Sequence, residues 1–140
     1  MRVLLDTCVI SEVRRDAGHP GVREQVEAIP SRDLFLSVVT VGELSRGIEL
    51  LEEGRRKRAL RRWFLALERD YAERVLPVDL ETAHVWGELS AAAQARGRPV
   101  SVSDGLIAAT AIRHGLHVMT RNVADFTGTG ARLVNPWAEP

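Results

Sequence analysis

The sequence predicts an α/β fold of three layers, with helices on both sides of a central, mostly parallel sheet of four to five strands. Three observations predict it. Short apolar runs alternate with longer stretches that carry helical spacing, and no tight hairpin signal joins neighbouring runs. The first run, Val3-Leu4-Leu5, is apolar throughout, as strands covered on both faces are. Gly and Pro fall between the periodic segments, at Gly18, Pro30, Gly54, Gly97, Pro99 and Gly115.

Residues 2–6 read as a short buried strand, and residues 7–13 as a short helix that Gly18 to Pro20 breaks. Val22, Val26 and Ile29 keep helical spacing until Pro30, and residues 34–38 form the second strand. A helix is expected from Thr40, with the stripe Val41, Leu44, Ile48 and Leu51, ending at Gly54. The basic stretch after it leads into a helix carrying Leu60, Phe64, Leu67 and Tyr71 on one face. Residues 75–78 are a third strand, and Asp79 is placed to cap a helix whose inner face is Ala83, Trp86, Leu89 and Ala93. Ser103 or Asp104 then caps a helix of small residues that Gly115 ends in the position favouring a left-handed cap. Residues 116–119 and 132–134 complete the sheet. The 140 residues are expected to form one domain spanning 1–140, long enough to bury a core without staples.

Composition excludes several functions. Formal net charge is zero, so the whole molecule is not an electrostatic glue for nucleic acid or membranes. Of 19 basic residues only Lys57 is a lysine, and no GxxxxGK[ST] pattern occurs, which rules out a P-loop. Positive charge is local: Arg55, Arg56, Lys57, Arg58, Arg61 and Arg62 crowd together. Arg55, Arg56 and Arg58 are candidate RNA-binding residues, because Arg offers forked donors to phosphate; a solvated helix start is the plainer explanation. The one cysteine, Cys8, forms no internal disulfide and fits a reducing cytoplasm. No apolar run approaches membrane-spanning length and no secretion signal is evident, so a cytoplasmic protein with no membrane contact is expected.

Four acids carry the chemistry. Asp6 closes the first strand, Glu43 lies one turn into the helix after the second, Asp104 opens a helix, and Asp125 follows the strand around Val118. A parallel sheet gathers such strand ends into one crevice. Singly, each has a structural explanation. Thr40 to Glu43 spells a capping box, Asp104 suits a helix start, and Asp125 suits a turn. Asp6 is the hardest to explain that way. Together they form a carboxylate cluster without matching cations, which is costly unless a divalent ion neutralises it. Hence Mg²⁺ is the expected cofactor, held by Asp6, Glu43, Asp104 and Asp125 as combined metal-binding and catalytic residues. Thr7, Thr120 and Asn122 are supporting polar groups, with turn hydrogen bonding the simpler role for the two threonines. His19, His84, His114 and His117 are too dispersed for a zinc set.

The stretches Leu4-Leu5-Asp6-Thr7-Cys8-Val9-Ile10-Ser11, Thr40-Val41-Gly42-Glu43-Leu44, residues 104–111 (Asp104 to Ala111) and Thr120-Arg121-Asn122-Val123-Ala124-Asp125-Phe126 resemble the PIN domain. They look most like its VapC toxin branch, near the FitB-like members, over essentially the whole chain. The closing Asn135-Pro136-Trp137 is similar to FitB-like tails. The resemblance implies a PIN-like α/β/α sandwich, Mg²⁺- or Mn²⁺-dependent cleavage of single-stranded RNA to 5′-phosphate products, and inhibition by a cognate antitoxin protein. By the family pattern Asp6, Glu43 and Asp104 carry over as metal-site acids. Two positions depart from it: Cys8 stands where Asn often follows Asp-Thr, and Asp125 supplies an acid that some members place at the position of Asn122. A homodimer and a hetero-oligomer with antitoxin are expected, since residues 41–51 and Trp63, Phe64 and Tyr71 offer more apolar surface than one buried stripe needs. The alternatives are a PIN-type nuclease of RNA processing or structured DNA, a non-catalytic PIN-like binding module, and a phosphoryl-accepting receiver domain. The receiver wants a Lys beside the acids, and Lys57 lies elsewhere in the sequence.

Overall fold

The structure, a computed structural model, describes residues 1–138. In chain order it contains β1 (Val3–Leu5), α1 (Thr7–Arg14), α2 (Pro20–Glu27), a 3-10 turn (Ser31–Asp33), β2 (Leu34–Ser37), α3 (Val38–Glu49) and α4 (Arg55–Asp70). There follow β3 (Val75–Leu76), α5 (Leu80–Ala95), α6 (Val102–His114), β4 (His117–Met119), α7 (Val123–Phe126) and β5 (Arg132–Val134). The five strands lie in the order β3-β2-β1-β4-β5. Every pairing is parallel, with Val3 opposite Leu34 on one side and His117 on the other.

Side-chain alternation along β1 splits the core in two. Val3 and Leu5 join Val9, Val22, Leu36 and Met119 beneath α1, α2 and α4, whereas Leu4 joins Ile107, Ala108, Val118 and Phe126 beneath α5 and α6. The three-layer α/β/α reading therefore holds, and the sheet is covered on both faces. Chain direction in the strand order reverses about β1: β2 and β3 lie to one side, β4 and β5 to the other. The crevice of such a sheet opens at the carboxyl ends of the strands flanking that switch point.

Local chemistry moves several boundaries. β2 stops at Ser37 because the Ser37 hydroxyl accepts from the Val39 N–H at 3.0 Å and starts α3 at Val38, two residues before the expected Thr40. Thr40 lies inside α3 with its hydroxyl unpartnered, so the anticipated capping box with Glu43 does not form. α6 likewise begins earlier: Ser101, rather than Ser103 or Asp104, is its cap, accepting from the Asp104 N–H at 3.2 Å. The inner face of α5 is Thr82, Leu89 and Ala93, with Trp86 half-buried and Ala83 exposed. Asp79 caps that helix as expected, its carboxylate accepting from the Thr82 N–H at 2.9 Å. Gly115 takes the left-handed conformation, φ 68°, at the end of α6.

The single lysine has a structural task. Lys57 is 5% exposed, and its ammonium donates to the carbonyls of Glu49 at 3.2 Å and Leu51 at 3.0 Å while pairing with Glu53 at 2.8 Å. It thereby closes the end of α3, where free carbonyls and the helix dipole favour a cation. Lys57→Met is expected to lower stability by about 2 kcal/mol, the scale of hydrogen bonds to a charged group. Urea unfolding of the two proteins at one pH measures this, and an unchanged midpoint would refute the capping role.

Candidate active site

Asp6 leaves β1 straight into the first turn of α1, and its environment fixes both carboxylate oxygens. Oδ1 accepts from the Thr7 N–H at 2.9 Å, and Oδ2 accepts from the Thr120 hydroxyl at 2.8 Å. The Asp6 N–H donates to the Met119 carbonyl at 3.0 Å, tying the end of β1 to the end of β4. Asp6 is 7% exposed, a carboxylate at the floor of the crevice. The Thr120 hydroxyl also accepts from the Asn122 N–H at 2.9 Å, so Asn122 contributes its backbone rather than its side chain to this network.

Glu43, exposed on α3, reaches toward Asp6's neighbour Thr7, from whose hydroxyl its Oε1 accepts at 3.1 Å. Thr7 thus bridges two acids 37 positions apart, holding Asp6 with its backbone and Glu43 with its side chain. Asp104 sits in the first turn of α6, and Asp125 lies in the short α7 rather than in a turn. Asp104 and Asp125 line one cavity of 310 Å³ together with Arg98, Ser101, Thr127 and Thr129.

Electrostatics bind the four together. Burial pushes the Glu43 carboxyl above its usual range; the Thr7 hydrogen bond opposes this, and the charges of Asp6 and Asp104 add to it. Burial likewise raises Asp104, with Ser101 opposing and Asp6 and Asp125 adding. Every charge acting appreciably on these two acids is itself negative. Cys8, beside Asp6 Oδ2 at 3.7 Å and Thr120 Oγ1 at 3.7 Å, has its thiol pushed up first by burial, so it stays protonated and is no nucleophile.

The donor set suits a hard cation. Among the described residues no three Asp, Glu, His or Cys groups converge closely enough to enclose an ion by themselves. Mg²⁺ and Mn²⁺ do not need such a cage, because Mg²⁺ retains several waters and takes one or two direct carboxylates. Carboxylates that repel one another through Asp104, two of them (Asp6 and Glu43) held by the Thr7 N–H and the Thr7 and Thr120 hydroxyls, fit that requirement.

The basic stretch stands apart. Arg55 and Arg56 line a 370 Å³ hollow with residues 51–54 that includes none of the four acids, and Arg61 pairs with Glu49 at 3.2 Å. Sequence reasoning missed Ser101, whose Ser-x-x-Asp spacing to Asp104 was a legible cap signal. It also missed Arg98, whose place beside the acids depends on the fold.

The PIN domain family matches residues 3–127 of the chain, a span that contains all four acids. The chain belongs to the PIN domain family. It is 37% identical over 96% of its length to the plasmid stability protein StbB of Pseudomonas syringae pv. tomato, and the match covers 98% of that relative. Toxin FitB of Neisseria gonorrhoeae is 35% identical, with 96% and 98% of the two chains covered. The VapC ribonuclease Y4jK of Sinorhizobium fredii is 35% identical, with 96% and 97% covered. Among solved structures, FitAB bound to an IR36 DNA fragment superposes with a TM-score of 0.93 at 32% identity, covering 99% of this chain and 97% of the other. These relatives place this PIN domain beside the FitB-like toxins, as residues 4–11 and 120–126 led us to expect.

Proposed function

We propose that the chain is the toxin of a type II toxin–antitoxin module, a divalent-cation-dependent endoribonuclease that hydrolyses RNA phosphodiester bonds in the cytoplasm. What supports this reading is the like-charge coupling among the acids: Asp6 and Asp104 both act on Glu43, and Asp6 and Asp125 both act on Asp104. The kinship to a VapC ribonuclease and to toxin FitB supports it. No helix among the described residues is long and apolar enough to cross a membrane.

Asp6 and Asp104 hold the principal cation, Mg²⁺ or Mn²⁺; Glu43 completes and orients the site, and Asp125 assists a second ion or the attacking water. A bound cation supplies positive charge for the phosphate and makes a nearby water more acidic. Thr120 and the Thr7 N–H keep both Asp6 oxygens aimed, and the Thr7 hydroxyl keeps Glu43 in register with Asp6. That preorganisation spares the site a rearrangement during the reaction. The hydroxyls of Thr7 and Thr120 serve the carboxylates and leave the phosphate to other groups. Arg55, Arg56 and Arg58 form a more distant phosphate contact, whose replacement by Gln lowers the salt dependence of RNA binding.

The antitoxin is a protein that docks on α1, α2 and α4. There Leu5, Val9, Ile10, Val13, Trp63 and Tyr71 line an apolar cavity of 210 Å³ that is open to solvent, matched to an apolar helix face. The chain alone forms a homodimer, and with antitoxin a larger hetero-oligomer. The test is cleavage of single-stranded RNA by the purified chain with Mg²⁺ or Mn²⁺ and with EDTA, followed by addition of the protein encoded beside it. Cation-dependent cleavage that the partner suppresses is expected. Absence of cleavage with either cation would refute the nuclease, and undiminished cleavage in the complex would refute inhibition.

A further inference from the structure

The chain turns sharply where α5 ends, and that turn puts Arg98 on the wall of the cavity that Asp104 and Asp125 also line. Gly97 adopts φ 74°, its N–H donates to the Gln94 carbonyl at 3.0 Å, and the Arg98 N–H reaches back to the Ala93 carbonyl at 3.0 Å. This paired closure is the Schellman motif, which tolerates a left-handed glycine and little else at its hinge. Pro99 follows and stiffens the exit. The Arg98 backbone is therefore fixed on the wall of the cavity that holds Asp104 and Asp125.

The groups around Arg98 are already occupied. The Thr127 hydroxyl donates to the Val123 carbonyl at 2.9 Å, and that of Thr129 to the Phe126 carbonyl at 2.7 Å. Arg96, two residues back, donates to the Gly128 carbonyl. Among the described residues the Arg98 guanidinium has neither a hydrogen-bond nor an ion-pair partner, although two carboxylates line the same cavity. An arginine meant to neutralise those acids would pair with them. Here Arg98 and the two acids line one cavity of 310 Å³, room for a group bearing negative oxygens. A second hollow, 420 Å³ and lined by Arg96, Arg98, Thr127 and Gly128, continues from the first away from the acids. Room that runs on from a reacting centre past arginines suits a polyanionic strand better than a compact ligand.

We propose that Arg98 receives the RNA phosphate next to the one that is cleaved, and that the groove from Asp104 and Asp125 past Arg98 to Arg96 carries the single strand on that side of the cut. This rests on the ribonuclease reading above. Arg98 meets substrate through its forked N–H donors and makes no contact with the water or the scissile bond. Its contribution appears in KM and in the salt dependence of binding, and lysine restores the charge without the fork.

The experiment uses the full chain with Mg²⁺ and a single-stranded RNA that it cuts at one place. A series of substrates carries one uncharged methylphosphonate linkage at each position flanking the cut. With wild type, kcat/KM is expected to fall about tenfold at one linkage adjacent to the cut, the scale of one charged hydrogen bond. Arg98→Gln should lose about tenfold on the unmodified RNA, chiefly through KM, and be indifferent to that same linkage. Its salt slope should be shallower by about 0.7, as for one phosphate contact on a single strand. Arg98→Lys should recover part of the loss, and equal melting temperatures establish that both variants are folded. If wild type cleaves RNA while Arg98→Gln matches it in rate, salt slope and linkage sensitivity, the proposal is overturned and the nuclease reading stands. If wild type cleaves no RNA at all, the nuclease reading fails and this one with it.

Discussion

Asp104→Asn is expected to reduce RNA cleavage by about 10³-fold while leaving the metal-free protein at least as stable as wild type. The two effects have one cause. The Asp104 carboxyl titrates above its ordinary value of 3.8, chiefly because of burial, with Asp6 and Asp125 adding repulsion. A raised carboxyl pKa means that the folded chain binds this proton more tightly than the unfolded chain does. The associated stability is fully present below the ordinary value, drains away as pH rises through the folded value, and is absent at neutral pH. Asparagine cannot ionise, so the variant should overtake wild type in melting temperature as pH climbs from about 4 in EDTA. Added Mg²⁺ or Mn²⁺ should reverse the order, stabilising wild type by about 2.7 kcal/mol at 100 times its dissociation constant and the variant far less. The loss of rate follows because one amide replaces a charge where the phosphate's negative charge must be offset. Thermal melts across pH with EDTA and with each cation measure the first part, and single-turnover cleavage measures the second. A wild type whose melting ignores both cations, with Asp104→Asn still cutting RNA, would dispose of the metal site.

The acids were legible in the sequence because their placement follows from connectivity alone. In a parallel sheet every strand ends on the same rim, so Asp6 after β1 and Asp104 at the start of α6 meet without any knowledge of side-chain packing. Local competition between caps was harder to read. Ser37 and Thr40 were both eligible to start α3 and both end fully buried; what separates them is that the Ser37 hydroxyl accepts from the Val39 N–H, whereas the Thr40 hydroxyl has no partner among the described residues. The same held for Ser101 against Ser103. Ala83 read as core by spacing, yet Thr82 occupies the interior because its hydroxyl is satisfied by Asp79 at 2.8 Å. The task of Lys57 was hidden because a basic run looks solvated until α3 and α4 fold back on each other, and only then do the Glu49 and Leu51 carbonyls need a donor. Arg98 was invisible for a similar reason, since α7 meets the end of α5 only in the folded chain.

Glu43→Gln is expected to abolish most cleavage without disturbing the fold, an outcome that the altered start of α3 makes decisive. Had α3 begun at Thr40, Glu43 would have reached back to its N–H, and Gln would have served equally well. With Ser37 as the cap, the partner of Glu43 is the Thr7 hydroxyl on α1, and every nearby charge is another site acid. Gln keeps an oxygen to accept from Thr7, so packing survives, but it removes the negative charge that a cation would meet. Thr7→Val separates position from charge. The carboxylate remains, loses its Thr7 donor, and titrates higher still, because the Thr7 hydrogen bond is what opposes burial there. Loss of an orienting partner of this kind costs about 10- to 100-fold in metal affinity or activity. Carboxyl NMR titration of the metal-free protein follows the shift, and cleavage assays follow the rate. The double variant Thr7→Val with Glu43→Gln should be no worse than Glu43→Gln alone, since the threonine acts through the glutamate. If Glu43→Gln cuts RNA at the wild-type rate, Glu43 belongs to the surface of α3 and the site has three acids.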